Sequence, residues 1–353
     1  MAESGVVRRL VGLAAALGCL LFAAPAVADP FTGTGMWIWQ LAKSERGSAA
    51  AVAARAAKSG VLTVIVKAAD GPKYWPQFSS GLVAALHARG VQACAYQFLY
   101  GRRPGAEAAA GARAVASGAD CLIVDVEGAY AGRYSAAQTY LKRLRASVGE
   151  SYPLGFTSLP YVSWHSKIPY SVFLGPGGAQ VNLPQVYWKA IGAPVDRVFA
   201  RTISENALYG RPLAPIGQLY SRPSPASVVR FRALAAAVGA TGVSFWSWQS
   251  AAPSGWAALR RPVAPARGFA LPAPIVLRRG ARGDQVAWLQ QHLAVRITSR
   301  FDASTDRALR AFQLAHGLAP TGMTDGTTWQ AVLAGEPAPV RWTPRGPLSL
   351  KRR

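Results

Sequence analysis

The sequence predicts a (β/α)8 TIM-like barrel followed by a small all-α domain of three helices. Eight short apolar segments alternate with Ala-rich helical stretches over about 230 residues, an alternation typical of parallel α/β barrels. Residues 261–274 are rich in Pro and Ala without hydrophobic periodicity, as expected of a linker. Residues 275–334 then carry three short amphipathic patterns with residues that start and stop helices. An open doubly wound sheet is the alternative for the larger domain, residues 29–260.

Residues 1–28 have the pattern of a secretory signal peptide. Arg8 and Arg9 precede an uncharged apolar run over 10–24, and residues 26–28 (AVA) form the small-x-small pattern that signal peptidases recognise. The apolar run is short for a membrane span, so we expect cleavage before Asp29 rather than an N-terminal anchor. The sequence therefore predicts a secreted, extracytoplasmic protein of the cell wall or periplasm.

The composition is that of a globular protein with a large excess of positive charge. The chain is 51% hydrophobic and 16% charged, with a formal net charge of +23. A basic excess favours anionic partners, and an exported protein meets cell-wall polymers rather than nucleic acid. We expect peptidoglycan and anionic wall polymers as partners, no nucleic acid, and no stable membrane anchor after signal cleavage.

Cysteine and histidine usage predicts no metal site, and nothing in the sequence calls for a cofactor. The four histidines are scattered, and only Cys94 and Cys121 remain after signal cleavage. An oxidising compartment allows these two residues to pair. Each also lies in an apolar run, where a free Cys behaves as a small hydrophobe. The sequence leaves both states open.

The predicted strands of the larger domain are mostly continuous apolar runs, as expected when both faces of a parallel sheet are buried. They cover residues 36–40, 62–67, 92–98, 121–127, 154–157, 185–188, 215–219 and 243–248. The predicted helices between them cover residues 49–58, 82–88, 106–116, 136–148 and 226–238. The connection from the fifth strand to the sixth is the least regular.

The carboxyl ends of the strands carry the candidate site, because barrel enzymes place their active residues there. The fourth strand ends in CLIVDVEG, so Asp125 and Glu127 point to the same face, about 6–7 Å apart along the chain. The candidate substrate-binding residues at the other strand ends are Asp70, Tyr96, Gln97, Gln185, Tyr187, Trp188, Gln218, Trp246 and Trp248. Carboxylates among aromatic and amide side chains are typical of a sugar site. For Lys67 and Asp70, an internal ion pair or a loop contact is expected rather than catalysis.

The D-x-E pair suggests glycoside hydrolysis. A Glu127 in a partly dry, aromatic environment would have a raised pKa and could protonate a glycosidic oxygen, while an ionised Asp125 stabilises positive charge or orients an N-acetyl group. The pair resembles the strand end of family-25 lysozymes and family-18 chitinases. This resemblance implies Glu127 as acid/base with Asp125 as its partner. It also matches Tyr187 to the chitinase sixth-strand Tyr, and Trp246 or Trp248 to the eighth-strand Trp.

Two departures from those families keep other functions open. The first strand, GMWIWQL, has no Asp, and the sixth has Trp188 where the lysozyme family has a carboxylate. The barrel is therefore a glycosidase, a non-catalytic glycan-binding scaffold, or a partner-docking envelope protein.

In the small domain, Asp284 is expected to cap a helix that carries Val286, Leu289 and Leu293 on one stripe. Ser304 or Thr305 opens a second helix, which Gly317 ends. A third helix starts at Thr327 or Thr328.

Three runs in this domain, LRRGARGDQVAWLQQHL, FDASTDRALRAFQLAHGL and TGMTDGTTWQAVL, resemble the three parts of the common peptidoglycan-binding domain. The matching residues include Gly280, Gly283, Val286, Leu289, Gln290, Leu293, Thr305, Ala308, Phe312, Gln313, Gly317, Leu318, Gly322, Thr328 and Trp329. Asp302 and Asp325 stand where the family usually has Gly, and the turns can survive because Asp tolerates left-handed backbone better than most residues other than Gly. The resemblance implies that residues 275–334 bind peptidoglycan. Residues 335–353 are Pro-rich and basic and are expected to form a loose tail that adds attraction to anionic polymer.

Overall fold

A computed structural model describes residues 29–270, 272–344 and 346–349, so the predicted signal peptide lies outside the described residues. Eight parallel strands pair in the order β6-β5-β4-β3-β2-β1-β8-β7. They are β1 (Gly33–Ile38), β2 (Thr63–Asp70), β3 (Gln92–Leu99), β4 (Cys121–Val126), β5 (Leu154–Thr157), β6 (Val181–Asn182), β7 (Ile216–Gln218) and β8 (Gly242–Trp246). Parallel bridges from Asn182 to Leu213 and from Gln185 to Ile216 join β6 to β7 and complete the ring. The predicted barrel is confirmed, and the open sheet is wrong.

Helices surround the strands. They are α1 (Ala49–Lys58), α2 (Ser80–His87), α3 (Pro104–Ala116), α4 (Tyr134–Val148), α5 (Tyr170–Phe173), α6 (Trp188–Ile191), α7 (Val195–Asn206), α8 (Pro225–Ala237) and α9 (Pro253–Leu259). Outward-facing strand residues such as Val64, Leu122 and Phe156 pack against these helices in the larger core. Inward-facing residues such as Ile65 and Ile123 form a second, smaller core that fills the lumen. The lumen is therefore a packed interior and not a pore.

The sixth strand differs from its prediction. The paired residues are Val181–Asn182, not 185–188, and Gln185 takes part only in a single bridge. Pro184 has no backbone N–H to donate to a ladder, so regular pairing stops before it. The chain then enters α6 at Trp188.

Cys94 and Cys121 form a disulfide bond. They are directly opposite each other on β3 and β4, and both side chains are wholly buried in the lumen core. Of the two states left open by the sequence, the structure shows the paired one.

Three helices form the small domain: α10 (Asp284–His292), α11 (Ala303–Ala315) and α12 (Gly326–Leu333). Asp302 and Asp325 are the N-caps of α11 and α12, with extended backbone at φ −95° and φ −86°. Neither residue therefore needs the left-handed backbone that Asp could have tolerated. Their side chains accept hydrogen bonds from the backbone N–H groups of Thr305 and Thr328. A carboxylate at these positions thus stabilises helix starts.

Two buried glutamines organise the turns of the small domain in the same way. The Nε2 atom of Gln290 donates to groups 8, 10 and 15 residues later in the chain. The Nε2 atom of Gln313 donates to groups at the same three separations. Both amides are fully buried. These matches to the family therefore hold the fold and do not face a ligand.

The small domain is docked on the barrel. Asp284 does not cap its own helix: its carboxylate accepts hydrogen bonds from the Ser171 backbone N–H at 2.8 Å, the Ser171 hydroxyl at 2.7 Å and the Tyr209 hydroxyl at 2.8 Å. The Trp288 indole donates to the Leu208 carbonyl at 2.7 Å. Asp284 is completely buried, and burial raises its pKa to about 6 although these hydrogen bonds act in the opposite direction.

The predicted loose tail is also packed where it is described. Strands β9 (Val340–Thr343) and β10 (Gly346–Ser349) form an antiparallel hairpin. Trp342 stacks on Tyr134 of α4 with ring centroids 4.2 Å apart. The Gln138 side chain donates to the Val340 carbonyl and accepts from the Trp342 N–H. An aromatic anchor and backbone hydrogen bonds explain why a Pro-rich, basic segment is ordered here.

Candidate active site at the barrel mouth

Two carboxylates lie together at the carboxyl end of β4. Asp125 is within the strand, and Glu127 follows its last residue. The Nε2 atom of Gln185 lies 3.4 Å from Asp125 Oδ1 and 3.1 Å from Glu127 Oε1. One amide nitrogen therefore bridges both acids, so the predicted grouping of Asp125, Glu127 and Gln185 is present in the structure.

The two carboxylates differ in environment. Asp125 is 9% exposed, whereas Glu127 is partly open to the mouth. Burial raises the pKa of Asp125 well above its usual value, and the negative charge of Glu127 raises it further, while Lys67 acts in the opposite direction. An ionised Asp125 was expected from the sequence. The structure instead favours the neutral form of Asp125 and leaves Glu127 as the carboxyl group that a ligand can reach.

Lys67 and Asp70 form an ion pair at the end of β2, with Lys67 Nζ 3.0 Å from Asp70 Oδ2. The ammonium group also lies 4.7 Å from the centre of the Trp75 ring. As expected from the sequence, Asp70 is paired with Lys67. Asp125 and Glu127 are instead joined by the amide of Gln185.

Aromatic rings line the mouth below and beside the carboxylates. Tyr96 meets Trp37 edge to face at 4.9 Å, and Trp246 lies 6.0 Å from each of them. Tyr187 packs against Tyr220 at 5.4 Å. Burial raises the pKa of Tyr187, and the charge of Asp125 raises it further, which places this phenol beside the acid pair.

Two buried hydroxyls in this region have no hydrogen-bond partner among the described residues. They are the phenol of Tyr96 and the hydroxyl of Thr157. Thr157 is directly opposite Asp125 on β5. The pKa of Tyr96 is raised by burial and then by the charge of Asp125. Buried polar groups in folded proteins are nearly always paired with protein groups or with water, so these two hydroxyls are available to a water molecule or to a hydroxyl or amide group of a ligand.

Four predicted site residues are directed elsewhere. Gln97 faces the helices, where its amide donates to the carbonyls of Gly71 and Glu107 and accepts from Tyr140. Adjacent residues on a strand point to opposite faces, so Tyr96 and Gln97 could not both enter the lumen.

Gln218 is engaged with backbone around α6: it accepts from the N–H groups of Lys189 and Ala190 and donates to the Tyr220 carbonyl. The other two predicted residues that lie outside the site are Trp188 and Trp248.

Trp188 is buried in the outer core, stacked on Phe231 at 5.5 Å. Trp248 is buried against Trp256, with its indole donating to Glu45. Both residues follow the end of a barrel strand, where the alternation of side chains no longer holds.

Four residues of this region were not predicted from the sequence: Trp37, Trp39, Trp164 and Thr157. Trp37 and Trp39 alternate along GMWIWQ, a period-2 signal that could have placed them on the lumen face. Trp39, just beyond β1, is 43% exposed, and Trp164, in the loop after β5, is 49% exposed. Exposed indoles near strand ends are suited to stacking on sugar rings. Thr157 had no distinguishing signal.

Within the described residues, no group of three or more His, Cys, Asp or Glu side chains is placed to hold a metal ion. In the same part of the chain, no helix combines the length and apolar character needed to cross a membrane.

The comparison with protein families concerns the small domain. Residues 282–332 match the model described as a putative peptidoglycan binding domain. The resemblance inferred from the three helical runs is thereby confirmed for this segment. No curated protein matches the chain.

Several solved structures are similar in fold to the larger domain. One is the spore cortex-lytic enzyme SleL of Bacillus cereus, at 11% identity over 66% of this chain and 75% of that one, with a TM-score of 0.49. A second is an endo-1,4-β-D-mannanase of Thermotoga petrophila, at 10% identity over 61% and 88%, TM-score 0.48. A third is a chitinase of Chromobacterium violaceum, at 14% identity over 65% and 98%, TM-score 0.46. The barrel assignment itself rests on the strand pairing described above.

Proposed function

We propose that this chain is an extracytoplasmic cell-wall protein that binds peptidoglycan through its small domain and hydrolyses wall glycan, a polymer of N-acetylated sugars, at the barrel mouth. The observation that carries the catalytic part is the acid pair bridged by Gln185, with two unpaired hydroxyls beside it. Such unsatisfied groups lower stability and are retained where a ligand pairs with them.

The roles of the acids follow from their exposure. Glu127 reaches the mouth, so it gives its proton to the glycosidic oxygen as the bond to the anomeric carbon breaks. The acetamido oxygen of the sugar attacks that carbon, and a water molecule, deprotonated by Glu127, then opens the resulting ring. Asp125 is a positioning residue: burial favours its neutral form, whose carbonyl oxygen can accept a hydrogen bond from the acetamido N–H and hold that group in place. Glu127, which is partly open to solvent, takes up from water the proton that it donates.

The proposed location is supported by three features. Residues 1–28 have the pattern of a signal peptide. The Cys94–Cys121 disulfide fits an oxidising compartment. The net charge of +23 suits anionic wall polymers, and export argues against nucleic acid as a partner.

A second function, glycan binding without hydrolysis, is favoured by one specific observation. Gln185 faces the acid pair from the neighbourhood of β6, and its amide can hold a sugar by hydrogen bonds but cannot act as a nucleophile or base. Hydrolysis at this site therefore depends on the acetamido group of the substrate, and a glycan that does not place this group correctly is bound without being cut.

The two functions are separated by incubating the mature protein with purified peptidoglycan and measuring new reducing ends. We expect release by the wild type and a loss of at least about a hundredfold in Glu127→Gln, because a general acid contributes that much or more. Glu150→Gln, which changes an exposed carboxylate in the loop before β5, is the matched control and should retain full activity.

Equal release by the wild type and Glu127→Gln would overturn the mechanism. Binding to peptidoglycan without release by any variant would support the non-catalytic function.

A further inference from the structure

The small domain carries a second feature, a cavity lined by three arginines. Arg279, Arg282 and Arg300 surround a surface cavity of about 270 Å3 beside the start of α11. All three side chains are exposed. The α10 face that holds Asp284 and Trp288 is covered by the barrel, so this cavity is a part of the domain that stays open to solvent.

Backbone pairing holds two of these charges together. Arg282 and Arg300 are opposite each other in an antiparallel bridge. The bridge is fixed on both sides by hydrogen bonds, from Phe301 N to Ala281 O at 2.8 Å and from Gly283 N to Ser299 O at 2.9 Å. Directly opposite residues of an antiparallel pair have their Cβ atoms about 5 Å apart on one face, and like charges there are destabilising.

The cavity is not neutralised from within. None of the three arginines makes a salt bridge within the described residues. Asp302 is the one carboxylate in the lining, and its Oδ1 accepts hydrogen bonds from the N–H groups of Ser304 and Thr305 at the start of α11. These bonds lower the pKa of Asp302 to about 2, so it is ionised. One negative charge against three positive charges leaves an excess of two.

We propose that these residues, here named the arginine pocket (Arg279, Arg282, Arg300), bind an oxyanion of the wall polymer, either a carboxylate of a peptide or a phosphate. This proposal rests on the proposed binding of the wall. Guanidinium groups present planar pairs of N–H donors that match both oxyanions, and two of them held on one face form a preorganised clamp. The repulsion between Arg282 and Arg300 is relieved when the oxyanion enters.

The first test uses the mature full-length protein and two peptidoglycan preparations, one untreated and one stripped of phosphate polymers by acid. Arg282→Gln/Arg300→Gln is compared with the control Arg296→Gln/Arg307→Gln, which removes the same charge from exposed positions of the same domain. We expect about tenfold weaker binding for the pocket variant and less than twofold for the control. A loss that persists on the stripped preparation identifies the carboxylate, and a loss confined to the untreated one identifies the phosphate.

A second measurement does not depend on the wall. Inorganic phosphate and acetate are titrated into nitrogen-labelled protein, and we expect the guanidinium resonances of Arg282 and Arg300 to shift with saturation. The pocket variant should melt at the same or a higher temperature than the wild type, because the substitution removes a like-charge pair.

Wild-type binding to the wall with no difference between the two double variants would overturn the arginine pocket and leave the proposed function intact. Saturable phosphate or acetate shifts without any wall binding would uphold the pocket as an oxyanion site and overturn the proposed function. A pocket variant that is less stable than the control would show that the arginines stabilise the fold and would overturn the arginine pocket as a binding site.

Discussion

The buried polar groups of the small-domain turns have hydrogen-bond partners, whereas two buried hydroxyls of the barrel mouth have none among the described residues. In the turns, the amides of Gln290 and Gln313 are fully buried, and each has hydrogen-bond partners on both its nitrogen and its oxygen. In the mouth, the hydroxyls of Tyr96 and Thr157 are buried without partners among the described residues.

This difference distinguishes polar groups that stabilise the fold from polar groups whose hydrogen-bonding capacity is unused among the described residues. A buried hydrogen bond contributes about 1 kcal/mol net, whereas a buried group left unpaired costs about 1–3 kcal/mol. Removing a side chain should therefore lower stability in the turns and leave it unchanged or raise it in the mouth.

The largest effect is expected in the turns. Gln290→Leu leaves the N–H groups of Thr298 and Ser299 and the Arg300 carbonyl without their amide partner. We expect the free energy of unfolding to fall by about 3–5 kcal/mol, measured by urea denaturation, because the buried amide and several partly buried backbone groups lose their hydrogen bonds together. Gln330→Leu, on an exposed position of α12, should change it by less than about 0.5 kcal/mol. Similar effects of the two substitutions would contradict the role given to Gln290.

The next largest effect concerns pH at the docking contact. Asp284 has a folded pKa of about 6, against about 3.9 when unfolded. The folded state therefore holds the proton more tightly, and stability must fall as pH rises from about 4 to about 6, by up to about 3 kcal/mol. Asp284→Asn keeps an oxygen to accept from Ser171 and Tyr209 but does not titrate, so its stability should be flatter over that interval. Urea denaturation at pH 4, 5, 6 and 7 measures how the free energy of unfolding of each protein changes with pH. The same change in both proteins would show that Asp284 does not titrate in this interval.

The smallest effect is expected in the mouth and has the opposite sign. Tyr96→Phe and Thr157→Val remove the unpaired hydroxyls without a large change in volume. We expect thermal stability to stay the same or to rise by up to about 1 kcal/mol, while binding of wall glycan weakens. A clear loss of stability in either variant would show that the hydroxyl has a structural partner and would remove that residue from the site.

The barrel could be predicted from sequence because its strands are continuous apolar runs, and most predicted ends lie within a few residues of those observed. The sixth strand could not, since only Val181–Asn182 pair regularly before Pro184. The acid pair was found from its period-2 spacing and its position at a strand end. Local pattern could not show that Gln218 bonds to the backbone of α6 or that Asp125 is the more buried acid.

The small domain shows the same limit. Its three helices and its family were evident from helix-start residues and apolar spacing. Asp284 was predicted as a cap from local sequence alone, but its partners Ser171 and Tyr209 belong to the barrel, far away in the chain. Contacts of such large sequence separation leave no periodic signal.

The docking of the small domain has a geometric consequence. A flexible linker lets a binding module explore a volume whose size depends on linker length. Here the carboxylate of Asp284, the indole of Trp288 and the stacked Trp342 fasten the domain to one side of the barrel. A polymer held by the small domain would thus lie at a fixed distance from Glu127. A module on a flexible linker would instead let that distance vary.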